Sequence, residues 1–323
     1  MSIIEQAARR LEELKRAGIE VPWAAAGLTE GEVRTLAGRN GDPVRIESVQ
    51  SEATDTAATA DSGVRLDDEA PTPEARLDEL ARHRQVAVDF ACLAREGCLV
   101  PGQGRSALLD EFRGIKRPLL KSVRGEGSAA MNRANLIMIT SALPGEGKTF
   151  CAINLAISMA MEIDTSVLLV DADVVRPSVM SRLGVSGNFN GLLDVLADPT
   201  LDVDSVILGT NVDKLLILPA GRQRFDSTEL LASSAMERVL DKLARDHRDQ
   251  IVIFDAPPLL VTTESKVLAM RVGQVVVVVD QSKTNPQDVS KVFAVLGDIP
   301  LVSSLLNKSR SPSETDRYGY YEA

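Results

Sequence analysis

The chain has 323 residues, 44% of them hydrophobic, which is room for roughly two domains, or one with extensions, around a sizeable core. A net charge of −10 disfavours wholesale nucleic-acid binding, and no apolar run approaches the ~20 residues of a membrane span. The opening Met-Ser-Ile-Ile-Glu lacks a signal-peptide layout, and Cys92, Cys98 and Cys151 form no CxxC pair, so the reading is a protein of a reducing cytoplasm without a disulfide framework.

In chain order, Ser2 to Ala17 reads as a helix, with Ile3, Ile4, Ala7, Leu11 and Leu14 on one face and Glu5/Arg9 and Glu12/Arg16 as i,i+4 pairs. Its charged face mixes both signs, which suits a solvated helix better than a membrane-surface one. From Gly38 to Pro73 the composition shifts to Gly, Ala, Ser, Thr, Asp and Pro; Gly41 to Ala75 alone carries nine acids and two bases, a net of −7. That predicts a flexible acidic linker. Helical patterns follow at about Pro73 to Arg95 and at Ser106 to Lys121, the second with mostly basic charges.

Beyond residue 135 short apolar runs alternate with longer helical patterns. The strand candidates are Leu136–Thr140, Val167–Val170, Leu215–Leu218, Ile251–Phe254, Val275–Val279 and Leu301–Leu305, and Ser227–Ala244 is one of the intervening helices. Continuous apolar runs suit strands covered on both faces. The alternation predicts an α/β fold, a mostly parallel sheet with helices on both faces, whose ligand sits beyond the carboxyl ends of the strands. The organisation expected is therefore 1–37, an N-terminal helix and connecting segment; 38–73, the acidic linker; 74–310, the α/β domain with its preceding helices; and 311–323, a tail.

One stretch gives that sheet a chemistry. Ser141-Ala-Leu-Pro-Gly-Glu-Gly-Lys-Thr149 follows the first strand candidate and opens a helix, Phe150 to Met161. Strand, glycine turn and helix is the setting a phosphate loop of the Walker A kind requires. Gly145 and Gly147 let backbone N–H groups turn towards a phosphate, the flanking Glu146 and Phe150 complete the loop, and the helix points its partly positive N-terminus at the same place. Lys148 would reach the β- and γ-phosphates of ATP, and Thr149 would offer its hydroxyl to Mg2+. The usual opening glycine is here Ala142.

Two apolar strands end in carboxylates, Val167-Leu-Leu-Val-Asp171-Ala-Asp173 and Ile251-Val-Ile-Phe-Asp255. A nucleotide site needs such groups, because Mg2+ prefers oxygen ligands. Of Asp171 and Asp173, one can support the metal while the other orients, or takes a proton from, an incoming hydroxyl; Asp255 is the expected metal-side carboxylate. Asn307, after the last strand, is placed to read the base. The chain's three tyrosines, Tyr318, Tyr320 and Tyr321, all lie in its last six residues behind a polar lead that predicts disorder, so they read as phosphoacceptors able to enter an active site.

Together these residues resemble the bacterial tyrosine kinases of exopolysaccharide biosynthesis and export, most of all the exosortase-associated tyrosine autokinase branch. The stretches that carry the resemblance are Glu111-Phe-Arg-Gly-Ile-Lys-Arg-Pro-Leu-Leu120, Ile137 to Phe150, Val167 to Asp173, Thr228-Glu-Leu-Leu-Ala-Ser233, Phe254-Asp-Ala-Pro-Pro-Leu-Leu260 and the tyrosine-rich end. The resemblance implies a cytoplasmic, ATP- and Mg2+-dependent kinase that phosphorylates its own tail, often between subunits of a homo-oligomer. It also implies recruitment and activation by the cytoplasmic part of a Wzz-type membrane chain-length regulator, and reversal by a cognate tyrosine phosphatase. Two positions depart from the family pattern. Val175 stands where an Arg is common, with Arg176 next, and the subunit-contact pattern Glu-x-x-Arg-x-x-Arg is altered to Asp110, Arg113 and Lys116. Two other readings share the loop. A partition- or division-site (MinD-like) ATPase switch usually carries a lysine where Leu143 stands, and a nucleotide-gated adaptor would leave tail phosphorylation to another kinase.

Overall fold

The computed structural model describes residues 83–125 and 133–309, apart from residues 248, 298 and 300. The opening helix, the acidic linker and the tyrosine tail lie outside the described residues.

The centre is an eight-stranded sheet of β1 (Arg84–Val86), β2 (Leu136–Ser141), β3 (Ser166–Asp171), β4 (Leu208–Thr210), β5 (Leu215–Leu218), β6 (Gln250–Asp255), β7 (Gln274–Asp280) and β8 (Val302–Asn307). Their spatial order is β1-β4-β5-β3-β6-β2-β7-β8. Among the described residues β4 and β5 pair antiparallel and every other neighbouring pair is parallel. All six strands expected from apolar runs are present. In β2 and β6 every position is buried, the condition for a strand without polar alternation.

Helices cover both faces. On one side lie α1 (Phe90–Arg95), α2 (Ala107–Val123), α3 (Lys148–Ala160) and α4 (Val179–Arg182); on the other lie α5 (Leu192–Ala197), α6 (Ser227–Ala232), α7 (Ser234–Asp246), α8 (Thr263–Ala269) and α9 (Pro286–Leu296). Alternate residues of one strand feed two cores. Ile137 and Ile139 of β2 face α2 and α3, while Leu136 and Met138 face the α5–α9 side. Helix α3 is apolar almost all round, buried from Cys151 to Ala160, because α2 closes over its outer face.

Three local readings change. The pattern taken as one helix up to Arg95 contains strand β1, followed by a short helix whose start is set by Asp89, which accepts the Ala91 and Cys92 amides. Strand β4, between β1 and β5, went unseen for the same reason as β1: three residues leave no periodicity to read. The Ser227–Ala244 pattern is two helices, broken where Ser233 turns extended and caps α7 through Ala235 N–H.

Parallel pairing decides where chemistry can occur. Strands β2, β3, β6, β7 and β8 run the same way, so Ser141, Asp171, Asp255, Asp280 and Asn307 all emerge at one edge. Strand β2 lies between β6 and β7, and the loop that follows it opens on that edge.

Candidate active site

The loop from Ala142 to Gly147 joins β2 to α3. Gly145 and Gly147 have φ of +85° and +99°, left-handed values that a side chain would strain. Gly147 has a second constraint, since a Cβ there would lie 2.1 Å from Asn307 Nδ2. The turn is braced by its own Glu146, whose side chain is buried rather than turned to the cleft. Its Oε2 accepts the Leu143 N–H (2.9 Å) and its Oε1 accepts the Thr284 hydroxyl (2.5 Å).

Beside the loop lies a cleft of about 670 Å³ lined by Gly145, Gly147, Lys148, Thr149, Phe150, Asp173, Arg176, Asn307 and Lys308, among others. Lys148 Nζ is 2.5 Å from Asp173 Oδ2 and 3.8 Å from Asp255 Oδ1. Residues far apart in sequence thus converge on one ammonium group. The Thr149 hydroxyl accepts a hydrogen bond from Ser178 Oγ (3.2 Å). Although the arginine of the family pattern is displaced by one position, Arg176 still borders the cleft, and its backbone N–H donates to Asp173 Oδ1 (3.1 Å).

Asp255 is fully buried and neither carboxylate oxygen accepts a hydrogen bond. Burial raises its pKa to about 6; the Lys148 ammonium and the nearby Thr149 hydroxyl oppose the rise, and Asp173 adds to it. Asp171 borders a second cavity of about 560 Å³, with Pro177, Ser181, Phe189 and Arg222; the 175–182 segment contributes to the walls of both. Its Oδ2 accepts the Ser178 (3.1 Å) and Val179 (3.0 Å) amides, while its buried Oδ1 has no hydrogen-bond partner. Burial pushes its pKa to about 8, the Asp255 charge adds to that, and the Val179 amide opposes it.

Of the residues singled out in the sequence, Gly145, Gly147, Lys148, Thr149, Phe150, Asp173 and Asn307 line the larger cleft. Asp255 meets Lys148 from beneath, and Asp171 is joined to Thr149 through Ser178. Tyr318, Tyr320 and Tyr321 lie outside the described residues. Asn307 is occupied within the chain: Nδ2 donates to Glu146 O (2.9 Å) and Oδ1 accepts the Lys308 N–H (2.8 Å). Of the pattern implied for subunit contact, two side chains stay at the surface and one is buried. Asp110 and Arg113 pair with each other at 2.6 Å, and buried Lys116 donates to Ser158 O (2.5 Å) and pairs with Glu162 (2.6 Å), tying α2 to the end of α3.

Sequence reasoning missed Ser178, Asp280, Thr284 and Lys308. Asp280 carried the same signal as Asp171 and Asp255, a carboxylate closing an apolar strand, and Lys308 followed Asn307 at a strand end. Ser178 and Thr284 act through contacts that no local pattern encodes.

Fold and loop define a phosphate-loop α/β domain of the nucleotide-binding kind, and residues 134–307 match the AAA domain family. The chain is similar to the putative tyrosine-protein kinase CapB of Staphylococcus aureus, 30% identical over 219 residues that cover 67% of this chain and 91% of CapB. It is also similar to the succinoglycan biosynthesis transport protein ExoP of Rhizobium meliloti, 30% identical over 271 residues, 80% of this chain but 32% of that longer protein. Among solved structures, the kinase domain of the Escherichia coli tyrosine kinase ETK superposes with a TM-score of 0.55 at 25% identity, covering 75% of this chain and 90% of that domain. The chain belongs to the bacterial tyrosine-protein kinase family.

Proposed function

We propose that the chain is an ATP-dependent protein-tyrosine autokinase that phosphorylates Tyr318, Tyr320 and Tyr321 and thereby regulates exopolysaccharide synthesis or export. The observation that carries this reading is the convergence of Lys148, Asp173 and Asp255 beside the left-handed glycine loop.

The site's polar groups fit a magnesium nucleotide. Both oxygens of Asp255 and one of Asp171 are buried without hydrogen-bond partners, which a divalent cation and its waters would supply, directly or through the neighbouring Thr149 hydroxyl. ATP brings the transferable phosphoryl group and Mg2+ neutralises the charge around it. The protein's own groups do the rest. Backbone amides of residues 145–149 would hold phosphate oxygens, and the Lys148 ammonium would pair with them. Thr149, Asp173 and Asp255 would hold the metal ion. Asp171, in the wall of the second cavity, is the carboxylate assigned to the proton of the incoming phenol.

Similarity to ExoP, a succinoglycan biosynthesis transport protein, supports a polysaccharide role, and the family resemblance supports three partners: a second copy of the chain, the cytoplasmic part of a Wzz-type chain-length regulator, and a tyrosine phosphatase. Among the described residues no helix is long and apolar enough to cross a membrane, and the family resemblance supports membrane recruitment through that regulator. The exosortase-associated branch rests on the sequence signature. The test is incubation of the full chain with Mg-ATP, alone and with the regulator's cytoplasmic part, followed by phosphotyrosine immunoblotting. Tail labelling is expected, and a tail unlabelled in both conditions overturns the assignment.

A further inference from the structure

The last strand ends in two residues that grip the phosphate loop. Asn307 Nδ2 donates to the Glu146 carbonyl (2.9 Å), and Lys308 Nζ donates to the Gly145 carbonyl (2.8 Å). Lys308 is itself fixed, because its ammonium pairs at 2.8 Å with Asp280 Oδ2, whose side chain is fully buried. Asp280 Oδ1 accepts from Ser282 N–H (2.9 Å) and Ser282 Oγ (2.8 Å). The Asp280 N–H donates to the Thr284 hydroxyl, which donates in turn to Glu146. Two consecutive carbonyls of the loop are thus held by the last side chain of β8 and the one that follows it, and its acidic side chain is held from the segment after β7.

A trans peptide is planar, and its C=O and N–H point in opposite directions. Fixing the carbonyls of Gly145 and Glu146 therefore fixes the amides of Glu146 and Gly147. A phosphate cradle binds through the direction of such amides. With φ of +85° and +99°, Gly145 and Gly147 have backbone freedom to swing, so this orientation needs an external hold.

We propose that Asn307 and Lys308 are positioning residues of the phosphate cradle: they aim the loop's amides, and base discrimination is not their task. The proposal rests on the reading that residues 145–149 take nucleotide phosphates. Asn307 spends one of its two amide hydrogens on Glu146 O and one of the two acceptor sites of Oδ1 on the Lys308 N–H, so the plane of its amide is set by the loop.

The test is calorimetric titration of the full chain with ADP, AMP and GDP in Mg2+. The variants are Lys308→Met, Lys308→Arg, and Lys308→Met combined with Asp280→Asn. The double variant removes the buried carboxylate that Lys308→Met alone would leave unpaired. Both Met-containing variants are expected to weaken ADP binding about tenfold while AMP changes by less than about twofold, because only the diphosphate reaches deep into the cradle. The ADP-to-GDP preference should be unchanged, and Lys308→Arg should recover part of the loss. Unchanged ADP affinity in both Met-containing variants, an equal loss for ADP and AMP, or a collapse of the ADP-to-GDP preference each overturns the proposal. A wild-type chain that binds no nucleotide overturns the reading beneath it as well.

Discussion

Asp171 and Asp255 are register partners at the ends of the neighbouring parallel strands β3 and β6, both almost completely buried. Burial raises each carboxyl above the ordinary 3.8, to about 8 and about 6, and the Asp255 charge raises Asp171 further. The folded state then binds more protons than the unfolded one from about pH 4 upwards, so stability falls as pH rises through both folded values. Thermal scans of the nucleotide-free protein should show Tm decreasing between pH 5 and pH 8.5, by about 2–4 °C for each kcal/mol lost. Asp171→Asn should flatten that slope. A slope identical in wild type and variant would contradict the placement of this pair.

Lys148 is the positive charge that the Asp173 and Asp255 carboxylates share. Replacing it with Met removes the group meant for the phosphates, and Asp171→Ala removes the proton acceptor. Either change should cut autophosphorylation by at least about 100-fold. Circular dichroism should show an intact fold, since the sheet and both cores are untouched. Near-wild-type labelling on a phosphotyrosine blot would contradict the assigned roles.

Gly147 is required twice over, by its left-handed φ and by the Asn307 amide packed against it. Gly147→Ala should cost about 1–3 kcal/mol of stability. It should also abolish nucleotide binding, since the loop must move to admit the methyl group. Urea denaturation and nucleotide titration check the two effects separately, and a variant with wild-type values in both would show that the loop is looser than described.

Lys116 tests an expectation that the fold redirects. The family resemblance puts it in a subunit contact, yet its ammonium is tucked against Ser158 O and Glu162 within the chain. Lys116→Ala should therefore lower the urea-unfolding free energy by about 1–3 kcal/mol. Sedimentation velocity should give the same oligomeric state as wild type. A shift in that state with unchanged stability would return Lys116 to the interface.

What the sequence disclosed follows from how local the signals are. Runs such as Leu136–Ile139 and Val275–Val279 announce buried parallel strands because strands covered on both faces need no polar alternation. Gly-Lys-Thr between strand and helix announces the loop, because the chemistry needs those residues adjacent in the chain. Strands β1 and β4 escaped notice because three residues carry no pattern. The break at Ser233 was hidden because the apolar period continues across it. The brace from Glu146 to Thr284 and the grip of Lys308 on Gly145 join residues more than 130 positions apart. Only the fold reveals them, as it reveals that the Asn307 amide faces the loop. Asp171 was legible as a strand-end carboxylate, but its place in the wall of the second cavity, with Ser178 linking it to Thr149, was not.

The most direct measurement is phosphopeptide mass spectrometry of the C-terminal segment from cells producing the wild-type chain and, in parallel, the Lys148→Met variant. Phosphate on Tyr318, Tyr320 and Tyr321 in the wild type, and its loss in the variant, is the predicted result. Tyrosines that remain unmodified in the wild type, or equally modified in both, would contradict a kinase acting on its own tail.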